Sequence, residues 1–223
     1  MESLWEAIFC AVRIQDGDVV QAWREHDALL SEKCEILNKY QFTELHYENE
    51  AGTDFRVGLV KNHIWEGGSE ESGSGVRFIA NMPTEEVFTM PDYRKAEGKV
   101  VSSRPLSYRG NLIKDFSLTF HEGKVVDFDA REGYDALKQL LDTDEGSKSL
   151  GEVALVPYAS PISEMGILFY NTLFDENASC HLALGECYPT TVQDGEKMNE
   201  EELHQIGGNH SINHVDFMIG TKD

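Results

Sequence analysis

Two stretches of this chain set imidazole and carboxylate groups inside otherwise apolar runs: LFDENASCHLALGECY, from Leu173 to Tyr188, and HVDFMIG, from His214 to Gly220. His181 is flanked by Cys180, Leu182, Ala183 and Leu184, with Asp175 and Glu176 a few residues upstream. His214 and Asp216 flank Val215 in a segment that alternates like a strand, which turns both side chains to one face. Glu152 lies in LGEVALV, a buried apolar strand in which a lone carboxylate is expensive. Buried charges are paired or bind metal, so two such places in one chain point to a cation site of the hard or zinc-like kind.

Each residue also has a plainer reading when taken alone. Glu152 could sit at a sheet rim or pair with an arginine such as Arg77 or Arg104. Glu85 and Glu86 follow Pro83-Thr84, where Thr84 could cap the start of a helix. His181 could be a hydrogen-bonded core histidine, whereas His214 and Asp216 put two ligand types on one strand face. As a set, Glu86, Glu152, Glu176, His181, His214 and Asp216 offer four carboxylates and two imidazoles. Mixed oxygen and nitrogen donors suit Zn, Co or Mn better than Ca. Carboxylates can also bridge two ions, the arrangement in which metals activate water and clamp a tetrahedral transition state. Neither HExxH nor a cysteine-rich zinc pattern is present.

The elements that must hold these groups divide into a helical start and a strand-rich remainder. Residues 2–13 place Leu4, Trp5, Ile8, Phe9 and Val12 at helical spacing. After Asp16-Gly17-Asp18, a second helix is expected from Val19 to Tyr40, with Trp23, Leu30, Cys34 and Leu37 on one stripe. Phe42–Tyr47 and Thr53–Val60 read as strands around the turn Asn49-Glu50-Ala51-Gly52. EGGSEESGSG, residues 66–75, reads as a flexible loop without a P-loop lysine or dinucleotide-turn spacing. Further strands are expected at Val76–Ala80, Phe116–Phe120, Lys124–Phe128, Gly151–Pro157 and Asn213–Ile219. The two around His121-Glu122-Gly123 form a hairpin. Helices are expected at Tyr134–Leu141 and Met198–Ile206. Without regular βαβ alternation, the pattern predicts an α+β fold: N-terminal helices, then a mixed, largely antiparallel, curled or barrel-like sheet with short helices.

Composition narrows the partners. Lys+Arg 19 against Asp+Glu 40 gives a net charge of −21, which disfavours nucleic acid and anionic membrane. Most of that charge is an ordinary solvated surface. Cys10, Cys34, Cys180 and Cys187 show no C-x-x-C spacing, which fits a reduced cytoplasmic setting. The start, MESLWEAIFCAV, lacks the basic region of a secretion signal, and no apolar run approaches the ~18 residues of a spanning helix. Asn177-Ala178-Ser179 and Asn209-His210-Ser211 match the glycosylation sequon, which carries little weight without such a signal. Cys180 beside His181 does not make a nucleophile pair, because adjacent strand residues face opposite sides. Ser160-Pro161 and Ser102-Ser103 lack the G-x-S-x-G elbow of a serine hydrolase.

From Leu4 onward the chain resembles the thermophilic-type metallo-aminopeptidases, aminopeptidases T and S and their relatives. The resemblance is carried by LWEAIF, NMPTEEVFTMP, GNLIKDFSLTFHEGKVVDF, LGEVALVPYASPIS, GILFYNTLFDENASCHLALGECYPT and NHSINHVDFMIG. It implies a co-catalytic pair of divalent metals, Zn or Co with Mn or Mg as further candidates. The implied ligands are Glu86 of PTEE, Glu152 of GEVALVP, Glu176 of FDEN, His181 of HLALG, and His214 and Asp216 of HVDF. Tyr188 of GECYP matches the family's catalytic tyrosine, and a phenol there would donate to the oxyanion formed as water attacks a peptide carbonyl. Tyr188 is otherwise a core tyrosine ending a strand.

The resemblance further implies short peptides as substrates, a homodimer, and residues 1–41 as a helical lead-in that joins two domains in relatives. Residues 42–223 would then be the metal-binding catalytic domain, without the family's preceding domain and final short tail. Three functional classes stand: a metal-dependent aminopeptidase, a non-catalytic metal-binding or oligomerising remnant and, independently of the resemblance, a small-molecule binding domain whose buried acids recognise cations.

Overall fold

The computed structural model describes residues 2–14 and 17–222. Two helices open the chain, α1 (Glu2–Ala11) and α2 (Val19–Tyr40). The expected turn between them includes Asp16, which lies outside the described residues. Asp18 caps α2 by accepting from the Gln21 amide at 3.1 Å, and Gln41 ends it in the left-handed conformation. The buried stripe of α2 is Trp23, His26, Leu30 and Cys34, so a histidine occupies a position that periodicity alone assigns to an apolar residue. The stripe on α1 does not face the core: Leu4, Trp5 and Phe9 are exposed, while Ala11 and Val12 are buried.

The strands are β1 (Glu44–Glu48), β2 (Asp54–Leu59), β3 (Ser69–Glu71), β4 (Arg77–Ile79), β5 (Val87–Thr89) and β6 (Pro91–Val101). They continue with β7 (Leu106–Tyr108), β8 (Asn111–His121), β9 (Lys124–Glu132), β10 (Leu150–Leu155), β11 (His181–Gly185) and β12 (His214–Met218). Among them stand α3 (Tyr134–Leu141), α4 (Pro161–Met165), α5 (Thr172–Asp175) and α6 (Glu200–Ile206). A larger sheet runs β1-β2-β6-β8-β7, with β9 also paired to β8, and a four-stranded sheet runs β12-β11-β10-β5. All these pairings are antiparallel. The fold is therefore α+β as expected, with the sheets open rather than closed into a barrel.

The main core lies where the two sheets meet. Phe55, Val57, Phe116, Leu118 and Phe120 come from the larger sheet, and Val153, Leu182, Leu184, Val215 and Phe217 from the smaller one. Phe116 and Phe217 join them at 5.8 Å between ring centroids. Leu137, Leu140 and Leu141 of α3 complete it. The loop expected at 66–75 is partly strand, since β3 pairs with β4. No helix among the described residues is long and apolar enough to cross a membrane.

Candidate metal centre

The register of three neighbouring strands organises the site. Ala183 on β11 is paired with Glu152 on β10 and with Asp216 on β12. His214 stands opposite Gly185, and His181 lies between Ala154 and Met218. Alternate residues share a face, so Glu152, His181, His214 and Asp216 project to one side of this sheet. Leu182, Leu184, Val153, Val215 and Phe217 occupy the other side, within the main core. The small residues on the site face leave space between the larger ones. Gly185 has φ +109°, and a Cβ there would come within 2.1 Å of the Asn213 carbonyl oxygen.

Two more carboxylates reach the same space from outside the sheet. Glu86 immediately precedes β5, and Glu176 opens a single 3₁₀ turn, Glu176–Ala178, that follows α5. Both line one cleft of about 1000 Å³ together with Glu152, His214, Asp216 and Tyr188. His181 is fully buried, with its Nε2 against Glu86 and Glu152.

The ligand-type atoms fall into two overlapping groups. Glu86, Glu152 and His181 present atoms all within 4.8 Å of one another, and so do Glu152, His214 and Asp216. His181 Nε2 is 2.8 Å from Glu86 Oε2 and 3.6 Å from Glu152 Oε1. His214 Nε2 is 3.7 Å from Glu152 Oε2 and 3.3 Å from Asp216 Oδ1. Glu176 belongs to neither triad but packs against Asp216.

Electrostatics at the cleft show how much the cluster needs a counter-charge. Burial, reinforced by Glu86 and Asp216, pushes Glu152 up to about 7. Burial and the negative charges of Asp216 and Glu86 push Glu176 up to about 10. Burial pulls the two histidines down, but the carboxylates outweigh it. His181 is held well above the usual imidazole range and His214 at about 9. Burial raises Asp216 too, yet the partnership with His214 leaves it below the ordinary carboxylate value. Among the described residues, no lysine or arginine pairs with Glu86, Glu152, Glu176 or Asp216.

The donor set fits a divalent cation. His181 Nε2 and Glu86 Oε2 are buried and lie 2.8 Å apart, with no hydrogen-bond partner that satisfies either of them. Nδ1 of His181 lies 3.2 Å from the Ser179 carbonyl oxygen and Nδ1 of His214 lies 2.8 Å from that of Glu186. With Nδ1–H donating to a carbonyl, each ring turns Nε2 toward the carboxylates, where loss of the Nε2 proton would free a lone pair for a cation, the usual outer support of a ligating histidine.

The plainer alternatives fare differently. Arg77 pairs with Asp27 at 2.9 Å and Arg104 donates to Ser163 Oγ at 3.5 Å, so neither neutralises Glu152. No helix begins at Thr84. Asp175 has a structural task, accepting from the amides of Phe169 at 2.7 Å and Asn171 at 3.0 Å. The sequon asparagines Asn177 and Asn209 are buried with their amides hydrogen-bonded, which leaves no room for a glycan. Tyr188 is 45% exposed at the cleft rim, with its ring 4.7 Å from that of His214. Partial burial and the four nearby carboxylates raise its pKa well above the usual phenol value.

Arg13, His26 and Asn177 were not singled out from the sequence as neighbours of this site. Arg13 donates to both oxygens of Glu85, at 2.6 and 2.7 Å, and the Glu85 amide donates to Asn177 Oδ1 at 2.6 Å. Arg13, a cation at the end of an apolar helix in a chain of charge −21, was the available clue.

Residues 1–223 match the thermophilic metalloprotease family M29 along their whole length. The chain belongs to this family. It is 53% identical over 223 residues to Aminopeptidase 2 of Geobacillus stearothermophilus, covering 100% of this chain and 54% of that protein. Aminopeptidase AmpS of Bacillus subtilis is 54% identical over 220 residues, 99% of this chain and 53% of the relative. The structure of wild-type AmpT from Thermus thermophilus superposes with a TM-score of 0.90 at 43% identity, covering 100% of this chain and 53% of that one. This M29 chain therefore spans about half the length of the relatives it matches, and family membership implies use of a divalent metal.

Proposed function

We propose that this M29 chain forms the metal-binding catalytic part of an aminopeptidase, which removes N-terminal amino acids from short peptides at a centre of two divalent ions, Zn²⁺ or Co²⁺. Residues 42–223 are read as the catalytic domain and residues 1–41 as its helical lead-in. The observation that carries the proposal is the pair of ligand triads sharing Glu152. A carboxylate common to both groups could serve two neighbouring ions. Charge supports the same number: metal binding requires the carboxylates ionised and the imidazoles neutral, and that state carries four negative charges, which two divalent ions would neutralise.

In this reading Glu86, Glu152 and His181 hold one ion and Glu152, His214 and Asp216 the other, with Glu176 beside Asp216. When bound, the ions polarise the scissile carbonyl and lower the pKa of water. The chain supplies the rest. Ser179 and Glu186 carbonyls fix the imidazole tautomers. Tyr188 keeps its proton at neutral pH and stands at the cleft rim, where it can donate to the developing oxyanion. Phe88, 5.9 Å from the Tyr188 ring, limits that ring's freedom.

The deciding experiment pairs elemental analysis with hydrolysis of a short peptide bearing a free N-terminus, in added Zn²⁺ or Co²⁺. Two ions per chain and turnover that disappears in Glu152→Gln support the proposal. His214→Ala should lose metal and turnover together. Metal bound without turnover, here and in a chain of the relatives' full length, favours the non-catalytic reading. Wild-type protein that takes up no metal would overturn the centre altogether.

A further inference from the structure

The strand-borne groups Glu152, His181, His214 and Asp216 take their positions from the hydrogen-bonded ladder of the small sheet. Glu86 and Glu176 do not, since one precedes β5 and the other sits in a single 3₁₀ turn. Something else must hold them to the sub-ångström tolerance that a metal site demands. The residues flanking them are unusually well tied. Glu85 is buried and accepts from Arg13 Nη2 at 2.6 and 2.7 Å. Arg13, just beyond α1, also places Nη2 3.2 Å from His26 Nδ1. His26 Nε2 lies 2.7 Å from the Thr84 carbonyl oxygen. One tautomer satisfies both contacts: Nε2–H donates to Thr84 while Nδ1 accepts from Arg13.

The same loop is fastened from the opposite side. The Glu85 amide donates to Asn177 Oδ1 at 2.6 Å, and Asn177 Nδ2 donates to the Leu173 carbonyl at 2.9 Å. Ser160 Oγ donates to the Asn177 carbonyl at 2.7 Å. Asn177 follows Glu176 directly, as Glu85 precedes Glu86 directly. A single hydrogen bond between neighbours thus links the two carboxylates that the ladder does not position.

We propose that Arg13, His26, Glu85 and Asn177 are positioning residues of the metal centre, through which the N-terminal helices set the placement of Glu86 and Glu176 and hence the cation affinity. The inference rests on the reading that the six cleft residues hold a divalent ion. A buried ion pair such as Arg13–Glu85 is weak evidence of added stability, because desolvation offsets most of the attraction. Its geometric role is what distinguishes it from packing.

The test titrates the metal-free full chain with Co²⁺ alone, reading affinity by chelator competition and geometry from the visible absorption bands. Melting temperature in chelator monitors the fold. Arg13→Met, Glu85→Gln and Asn177→Ala should each weaken Co²⁺ by about ten- to a hundred-fold, the usual effect of losing an outer partner of a ligand, and alter the bands. The double variant Arg13→Met with Glu85→Leu exchanges the ion pair for an apolar contact and keeps the fold measurable. Weakened Co²⁺ binding in this folded variant supports positioning. Wild-type affinity and bands there, or in folded Asn177→Ala, would overturn it. His214→Ala serves as the ligand control. If wild type binds no Co²⁺, or His214→Ala binds it equally well, the metal-centre reading fails and the positioning role falls with it.

Discussion

Tyr188 stands apart from the other cleft residues because it brings a proton donor rather than a ligand. Its partly exposed phenol faces the cleft, and its raised pKa keeps the donor protonated where the carboxylates crowd. Tyr188→Phe should keep its metal and its melting temperature while kcat falls by about 10²–10³, the usual effect of removing one oxyanion donor. If this chain alone shows no turnover, the substitution belongs in a chain of the relatives' full length. Full activity in Tyr188→Phe would reduce the side chain to packing. Charges inside apolar runs make Glu152, His181, His214 and Asp216 conspicuous in the sequence, whereas Glu86 is picked out by the family resemblance. Residue type alone does not separate Glu85 from Glu86, since two adjacent glutamates look alike until one is seen to face Arg13 and the other the cleft.

Among the elements, the small sheet depends on what its site face leaves out. Ala183 lies between Glu152 and Asp216, fully buried, with no side-chain bulk to separate them. Ala183→Val should crowd that space and cost about 1–3 kcal/mol as overpacking. Measured by Co²⁺ titration of the folded variant, affinity should fall at least about tenfold; unchanged affinity would show that the space above Ala183 is not the cation's. The edge of the sheet has its own anchor. Asp144 accepts from the Ser147 and Ile212 amides, both at 2.8 Å, and from the Ser147 and Ser211 hydroxyls at 2.7 and 2.8 Å. This holds the chain that leads into β12. Burial opposes ionisation of Asp144, but these donors outweigh it and bring the pKa down to about 2. A depressed carboxylate contributes stability above its unfolded pKa and loses it as pH falls through the folded one. Asp144→Ala should therefore cost about 1–2 kcal/mol near neutral pH, allowing for partial solvent screening, with the gap to wild type closing below about pH 4. Urea unfolding at a series of pH values reads this directly, and a pH-independent gap would rule it out.

Helices were the most legible elements. α2 and α3 run from Val19 to Tyr40 and from Tyr134 to Leu141, where apolar spacing and the Asp18 cap place them. β6 was missed for a physical reason: PDYRKAEGKVV is largely polar, and its strand form is imposed by β2 and β8 on either side. The acidic loop at 66–75 hid β3 in the same way.

At the scale of the whole molecule, the cleft couples any bound cation to the folded state. Four carboxylates at close range, three of them buried, repel or take up protons when no cation neutralises them. Binding to the native form alone adds RT ln(1 + [L]/Kd), about 2.7 kcal/mol at a hundredfold excess over Kd. Chelation should lower the melting temperature and Zn²⁺ or Co²⁺ should restore it. An unchanged transition after verified metal loss would count against any contribution of the centre to stability.

The strand order has a kinetic consequence as well. Glu86, Glu152, His181 and Asp216 come from four separate parts of the chain and meet only when β12, β11, β10 and β5 have all paired. Contacts so distant in sequence form slowly, after their loops have closed. A cation therefore meets a finished cleft rather than nucleating one. Stabilisation absent from the folding transition state appears in the unfolding rate. Added Co²⁺ should leave the refolding rate constant unchanged and slow unfolding by the full factor of its stabilisation, so the ion would act as a latch on a door already shut.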